Sequence, residues 1–295
     1  MDEKHTRIPE SELIINSDGS IFHLHIKPDQ LADLVILVGD PERVPMFEKY
    51  FEQIECKGAS REFAWMTGVF KGKRMTVLST GIGTDNIDIV MTELDALANV
   101  NFETRIENDE HRTLTIVRLG TCGAIQPDIP LGSFILSHYS IGFDGLMNWY
   151  ADRFAITDSD MEEYFMKHMS WPLVLPFPYF VRASEKLIKA FEESTVKGMT
   201  ISAPGFYGPQ GRVVRLKLAI ETMLKDIESF RYGDWKITNF EMEGSAIAGF
   251  AKKLGHDAIT VCCVIAHRYL KDVNTDYKAR VNELIKLVME KMSEL

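Results

Sequence analysis

A single α/β domain is predicted by three observations. Short apolar, β-branched runs alternate along the chain with segments of helical periodicity. Several of those runs end in glycine-containing turns. No low-complexity linker or internal repeat divides the 295 residues, a length that one large α/β domain accommodates. Pattern alone suggests a doubly wound sheet.

Residues 1–20 are polar and acidic, with no apolar stretch of the secretory kind. They read as an arm, mobile or laid on a neighbour, ahead of a folded body spanning residues 21–295. Strands are predicted at Leu34–Val38, Glu62–Phe70, Met75–Thr80, Leu114–Leu119, Ser133–Ser137, Met199–Ser202 and Ala258–Ile265. Helices are predicted at Asn86–Ala98, Ser184–Ser194, Gly211–Leu224, Met242–Leu254 and Tyr277–Met292. In the last of these, Val281, Leu284, Ile285, Val288 and Met292 form one apolar stripe. Leu146 to Tyr179 is a long segment rich in aromatics and prolines, among them Trp149, Tyr150, Phe165, Trp171 and Pro176. Such a segment, about residues 146–180, reads as a lid, a binding loop or an interface element that a second subunit would cover.

Composition excludes several classes. A net charge of -10 argues against nucleic-acid and anionic-membrane partners, which want a basic face. No apolar run approaches the roughly 18 residues that span a bilayer. Cys56, Cys122, Cys262 and Cys263 lack metal-ligand spacing, so a reduced, cytoplasmic protein without a metal is expected. A phosphate ligand stays open, because Arg43, Arg61 and Arg118 supply local positive charge.

Four segments carry chemistry. Asn239-Phe240-Glu241-Met242-Glu243-Gly244 sets two acids either side of a Met at the start of a helix running to Leu254. A carboxylate can be satisfied there by vicinal hydroxyls, and a Met offers a polarizable face to a sugar ring. The plainer reading is a pair of acids at a helix N-terminus. Gly39-Asp40-Pro41-Glu42-Arg43 follows a buried strand and opens a helix, an anion-binding arrangement that an ordinary tight turn would also explain. It is neither a Walker loop nor a dinucleotide fingerprint.

Arg118-Leu119-Gly120-Thr121-Cys122-Gly123-Ala124 puts an arginine at the end of a buried strand, where it needs an anion, followed by a compact glycine turn. A structural ion pair would serve Arg118 equally. Gly205-Phe206-Tyr207-Gly208-Pro209-Gln210-Gly211-Arg212 is a loop whose aromatics need something to pack on. Its amide and guanidinium suit a planar heterocycle, though a surface turn would look similar.

Taken in order from Phe22 to Arg268, these segments resemble the nucleoside phosphorylase family, and within it the uridine phosphorylases. Phe22-His23-Leu24, Arg61-Glu62-Phe63, Ser79-Thr80-Gly81-Ile82-Gly83 and Gln126-Pro127-Asp128 fall in the family's order between them. The resemblance implies a mixed, partly barrel-like sheet flanked by helices, in place of the doubly wound sheet. It implies reversible phosphorolysis of uridine to uracil and ribose 1-phosphate, with inorganic phosphate as co-substrate and no cofactor.

Site roles follow from the same resemblance. Phosphate falls to Gly39, Arg43, Arg118 and Thr121, with Arg61 reaching in from a neighbouring subunit. Ribose falls to Met242 and Glu243, with Glu241 in support and His23 meeting the 5′-hydroxyl across the interface. The base falls to Phe206, Gln210 and Arg212, with Gly123 leaving room and Arg268 backing Arg212. Glu243, Arg118 and Arg212 are the expected catalytic groups. Sites shared in this way imply at least a dimer, and up to a hexamer of dimers.

Purine-cleaving relatives carry an Asp at the end of the strand after the Met-Glu helix, and here that position is Ala266. A purine nucleoside phosphorylase and a non-catalytic nucleoside binder are the alternatives. Thr84-Asp85-Asn86 stands where many pyrimidine members carry Gly-Pro-Ser, so no interface cation is assigned.

Overall fold

The computed structural model describes residues 6–268, 270–273 and 277–295. Its first half runs β1 (Leu34–Val38), β2 (Gln53–Ser60), β3 (Phe63–Phe70), β4 (Lys73–Ser79), α1 (Thr84–Asn99), β5 (Val100–Asn101), β6 (Ile106–Glu107), β7 (Thr115–Ala124) and β8 (Phe134–Gly142). The second half runs α2 (Ser159–His168), β9 (Tyr179–Arg182), α3 (Glu185–Phe191), β10 (Val196–Ser202), α4 (Met223–Ser229), β11 (Arg231–Tyr232), β12 (Trp235–Glu241), α5 (Gly244–Leu254), β13 (Asp257–His267), β14 (Asp272–Val273) and α6 (Lys278–Ser293).

One sheet dominates, ordered β2-β3-β4-β1-β7-β13-β8-β10-β12. Its last strand returns to pair antiparallel with β7, Asn239 opposite Ala124 and Phe240 opposite Gly123. That pairing closes β7, β13, β8, β10 and β12 into a five-stranded ring. The mixed, partly barrel-like sheet is therefore present, and a doubly wound sheet is not.

Both faces of the sheet are covered, which is why its central strands are apolar throughout. Val35 and Leu37 of β1 pack under α1 and α5 with Ile87, Leu94 and Ile247. Ile36 and Val38 face the other way, onto the α6 stripe of Val281, Leu284, Ile285, Val288 and Met292. A third cluster joins Phe165 of α2 to Phe143, Phe180 and Phe230.

Several sequence expectations change. The strand at Arg118 runs on to Ala124, because backbone pairing with β13 continues through Gly120–Ala124; the compact glycine turn is absent and Arg118 sits mid-strand. Glu241 ends strand β12 and the helix begins at Gly244, two residues later than the expected Met242. Residues 211–222 form no helix, and α4 covers Met223–Ser229 instead. The 146–180 segment is only partly loop, since it contains α2, capped by the Asp158 carboxylate accepting from the Met161 N–H.

The arm is folded against its own chain over its described residues, with residues 1–5 outside them. Arg105 is buried and donates to the carbonyls of Ile8 at 3.0 Å, Pro9 at 3.4 Å and Leu13. Arg105→Met removes all these donors and should cost about 2 kcal/mol of unfolding free energy. It should also speed tryptic cleavage after Arg7. Unchanged stability with Arg7 still protected would show that other contacts hold the arm.

Candidate active site

At the carboxyl ends of β1, β7 and β12 lies a cavity of about 1400 Å³. Gly39 and Arg43 reach it from the turn after β1, where the Asp40 carboxylate accepts from the Glu42 N–H at 2.9 Å and fixes the bend. Arg118, Thr121 and Gly123 come from β7, and Glu241, Met242 and Glu243 from the β12–α5 junction. Phe206, Gln210 and Arg212 come from the loop after β10, and Ala266 and Arg268 from the end of β13. His23 and Arg61 are not brought to this cavity. Arg61 is exposed at the β2–β3 turn, with a left-handed φ of 54°.

The acidic end is a buried three-charge cluster. Arg118 pairs with Glu243 and lies 3.2 Å from Glu241. The strand makes room for the guanidinium two residues on, where a Cβ at Gly120 would come within 2.1 Å of Arg118 Nη1. The two carboxylates do different work. Glu241 accepts from the N–H groups of Glu243 and Gly244, at 2.9 and 3.0 Å, and from the Ser202 hydroxyl. For Glu241 the plain reading of an acid at a helix N-terminus therefore holds. Glu243 instead accepts from the Gly83 N–H at 2.7 Å, and Gly83 can present it because its φ is 100°. Burial pushes the Glu243 carboxyl up, against the pull of Arg118. Burial also opposes charge on Arg118, but Glu243 and Glu241 outweigh it and raise its pKa.

The opposite end is cationic. Arg212 donates to the Phe206 carbonyl and to Gln210 Oε1, with its guanidinium 3.7 Å from the Phe206 ring centroid. Arg268 donates to the Gln210 carbonyl at 3.0 Å. Burial first, and the like charge of Arg268 second, bring the Arg212 pKa down to about 10. Gly123 lines the cavity and admits the Arg268 side chain, since a Cβ there would meet Arg268 Cδ at 2.8 Å. Ile265 is the extra residue of a bulge in β13, and it turns the strand end so that Ile265 and Ala266 line the cavity.

The Gly83 and Ser202 contacts have no signature in the sequence, since one is a backbone donor and the other a serine in a buried strand. The fold also gathers a cluster that sequence spacing did not suggest, Asp95, His111 and His256. The Leu114 N–H donates to His256 Nδ1 at 3.1 Å, so the proton sits on Nε2, which lies 3.2 Å from Asp95. A protonated Nε2 has no lone pair for a metal, so the cluster is a buried contact between the His256 imidazole and the Asp95 carboxylate.

This geometry has relatives. The sequence pattern of the phosphorylase superfamily matches residues 33–295, and the chain belongs to that family. Its fold is the nucleoside phosphorylase fold. Uridine phosphorylase of Thermococcus kodakarensis is 29% identical over 254 residues, 85% of this chain and 79% of that protein. A DeoD-type purine nucleoside phosphorylase of Bacillus thuringiensis is 26% identical over 275 residues, 91% of this chain and 97% of that protein. Among solved structures, a Trypanosoma brucei nucleoside phosphorylase described as showing uridine phosphorylase activity superposes with a TM-score of 0.88 at 28% identity, covering 96% of this chain and all of that one. Purine nucleoside phosphorylase from Toxoplasma gondii, at a TM-score of 0.64 and 18% identity, shares the fold over 92% of this chain and 95% of its own.

The cluster geometry separates the two acids experimentally. Glu241→Leu strips acceptors from Glu243 N–H, Gly244 N–H and Ser202 and should destabilise by about 3–5 kcal/mol. Glu243→Gln keeps an acceptor for Gly83 and leaves Arg118 its Glu241 partner, so its loss should stay near 1 kcal/mol. Urea unfolding of both variants compares them, and equal losses would refute the division of labour.

Proposed function

We propose that this nucleoside phosphorylase is a uridine phosphorylase, cleaving uridine reversibly to uracil and ribose 1-phosphate in the cytoplasm. The observation that carries the reading is the base end of the cavity. Arg212, Gln210 and Arg268 converge there, while Ala266 stands where a purine-cleaving site needs an acid. A uracil ring leaves as an anion delocalised onto its carbonyl oxygens, and a fixed guanidinium suits it.

In the reaction a phosphate oxygen forms a bond to the anomeric carbon as the bond from that carbon to the base nitrogen breaks, its electron pair going into the ring. Gly39, Arg43, Arg118 and Thr121 hold the phosphate, and Arg61 of a second subunit completes it. Glu243 faces the ribose hydroxyls and favours the oxocarbenium-like charge, with Met242 against the sugar and Glu241 holding the helix start. Phe206 stacks on the base. Gln210 gives Oε1 to Arg212 and keeps its amide N–H groups for a carbonyl oxygen. His23 serves the 5′-hydroxyl of a neighbour's substrate. Supporting a shared site, neither His23 nor Arg61 lines the cavity of its own chain.

A purine nucleoside phosphorylase is the second reading. The cavity, at about 1400 Å³, exceeds the usual small-ligand range of roughly 300–1,000 Å³, and purine phosphorylases are among the relatives. A panel of uridine, thymidine, inosine and adenosine, each with and without phosphate, decides between them. Phosphate-dependent uridine loss exceeding that of the purines is expected. Larger purine turnover would favour the second reading, and equal loss without phosphate would indicate a hydrolase.

Ala266→Asp tests the base end directly. A carboxylate there repels a departing uracil anion and offers a purine ring nitrogen a proton, so uridine turnover should fall about 10-fold or more while inosine turnover rises. An unchanged uridine rate would show that residue 266 does not face the base.

A further inference from the structure

Glu93 is a buried carboxylate in the middle of α1 that the reading above leaves without a task. It is fully occupied nonetheless. Its oxygens accept the His23 N–H at 3.0 and 3.1 Å and the Leu24 N–H at 2.9 Å. The same carboxylate lies 2.6 Å from His23 Nδ1. A carboxylate already taking two backbone donors acts as an acceptor, so the proton between it and the imidazole belongs to Nδ1. Nε2, across the ring, is then the bare acceptor. The Phe22 ring packs edge-on to the imidazole, with centroids 4.6 Å apart.

Position excludes a role in this chain's own cavity. Gly83, which donates to Glu243, precedes the first residue of α1, and Glu93 lies ten residues on. At 1.5 Å of rise per residue that is about 15 Å along the helix, beyond the reach of an imidazole anchored at Glu93. A half-buried histidine held by three contacts to one carboxylate is pre-oriented for something outside its own chain.

From this we infer that Glu93 is a positioning residue. It fixes the tautomer and direction of His23 so that Nε2 accepts the 5′-hydroxyl proton of a nucleoside bound in a neighbouring subunit. The inference rests on the proposed phosphorylase reading. It goes beyond it by naming the group that makes His23 an acceptor, and by predicting that the 5′-hydroxyl donates its hydrogen bond to the protein.

The test compares uridine with 5′-deoxyuridine, which lacks that hydroxyl, in Glu93→Gln and in the His23→Ala background. Gln keeps an acceptor for the Leu24 N–H but gives up the paired carboxylate oxygens. Glu93→Gln should lower kcat/KM for uridine about 10-fold, mostly through KM, and leave 5′-deoxyuridine within about twofold. Added to His23→Ala, it should cost nothing further. Equal losses for both nucleosides, or the same loss with His23 already removed, would make Glu93 a structural prop and overturn the role. No loss with either nucleoside overturns it too. If the unaltered protein shows no phosphate-dependent turnover of any nucleoside, the functional reading itself fails and takes this role with it, an outcome distinct from the others.

Discussion

Burial of Arg118 between Glu241 and Glu243 is the constraint on which the rest of the structure turns. Two carboxylates and a guanidinium out of water are tolerated only when each is paired and hydrogen-bonded, since an orphaned member costs several kcal/mol. The fold supplies those partners from four elements: β7 for the arginine, β12 and its junction with α5 for the acids, β10 for Ser202, and the α1 start for Gly83. Ring closure is what brings them together. β12 leaves its neighbour β10 with Glu241 opposite Ser202, and returns to β7 at Phe240 and Asn239, beside the strand that carries Arg118. A sheet open at β12 would strand the arginine without its acids.

The cluster is also tied to the long aromatic segment at 146–180. Ser245, in the first turn of α5, donates its N–H to Ser202 at 2.8 Å and its hydroxyl to Asp144 at 2.9 Å. The Tyr179 hydroxyl joins the same carboxylate at 2.8 Å, and a Cβ on Gly142 would collide with the Tyr179 ring. Burial pushes the Asp144 carboxyl up, while donors from Leu146, Tyr179 and Ser245 pull the other way. Residues 144 and 179 bracket the aromatic segment, so its two ends are pinned one hydrogen-bonded layer behind Glu241. Its apolar middle, with Trp149, Leu173 and Val174 largely exposed, is free of that layer.

Much of this was legible in the amino-acid sequence, and the exceptions share a cause. β1 matches its apolar run at both ends, and α1 and α6 follow their stripes to within two residues, because burial against a flat sheet writes periodicity directly. Gly120 and Gly123 suggested a turn, yet they are strand residues whose missing side chains admit Arg118 and Arg268. Local chemistry gave the right residue type and the wrong geometry. The helix expected over Gly211–Leu224 fails at its start, where Val213, Val214 and Leu218 line a cavity wall instead. Glu93 was invisible for the opposite reason. On a helix its neighbours made it an ordinary surface acid, and only the return of residues 22–24 over α1 reveals what it binds. The candidate site was easier to read than the strands around it, since charged groups in apolar runs must be explained while glycines have many explanations.

Charge bears on the proposal that a second subunit's Arg61 completes the phosphate end. Around the cavity, Asp40, Glu62, Glu221, Glu241, Glu243 and Asp272 outnumber Arg43, Arg118, Arg212, Arg268 and Lys271. Arg118 is already engaged by two carboxylates, and Arg212 and Arg268 are committed to the opposite end. A phosphate dianion entering beside Gly39 would therefore share Arg118 with two carboxylates and meet little further positive charge beyond Arg43, in a partly desolvated space where attraction and repulsion are both magnified. In the proposed reading an additional guanidinium from outside the chain would resolve this, without the cost of holding a further unpaired cation in the pocket. Arg61 is exposed on a tight turn, as its proposed role toward a second subunit requires. On this argument, the proposed sharing of the site between chains follows from keeping the Arg118 cluster neutralised when no phosphate is bound.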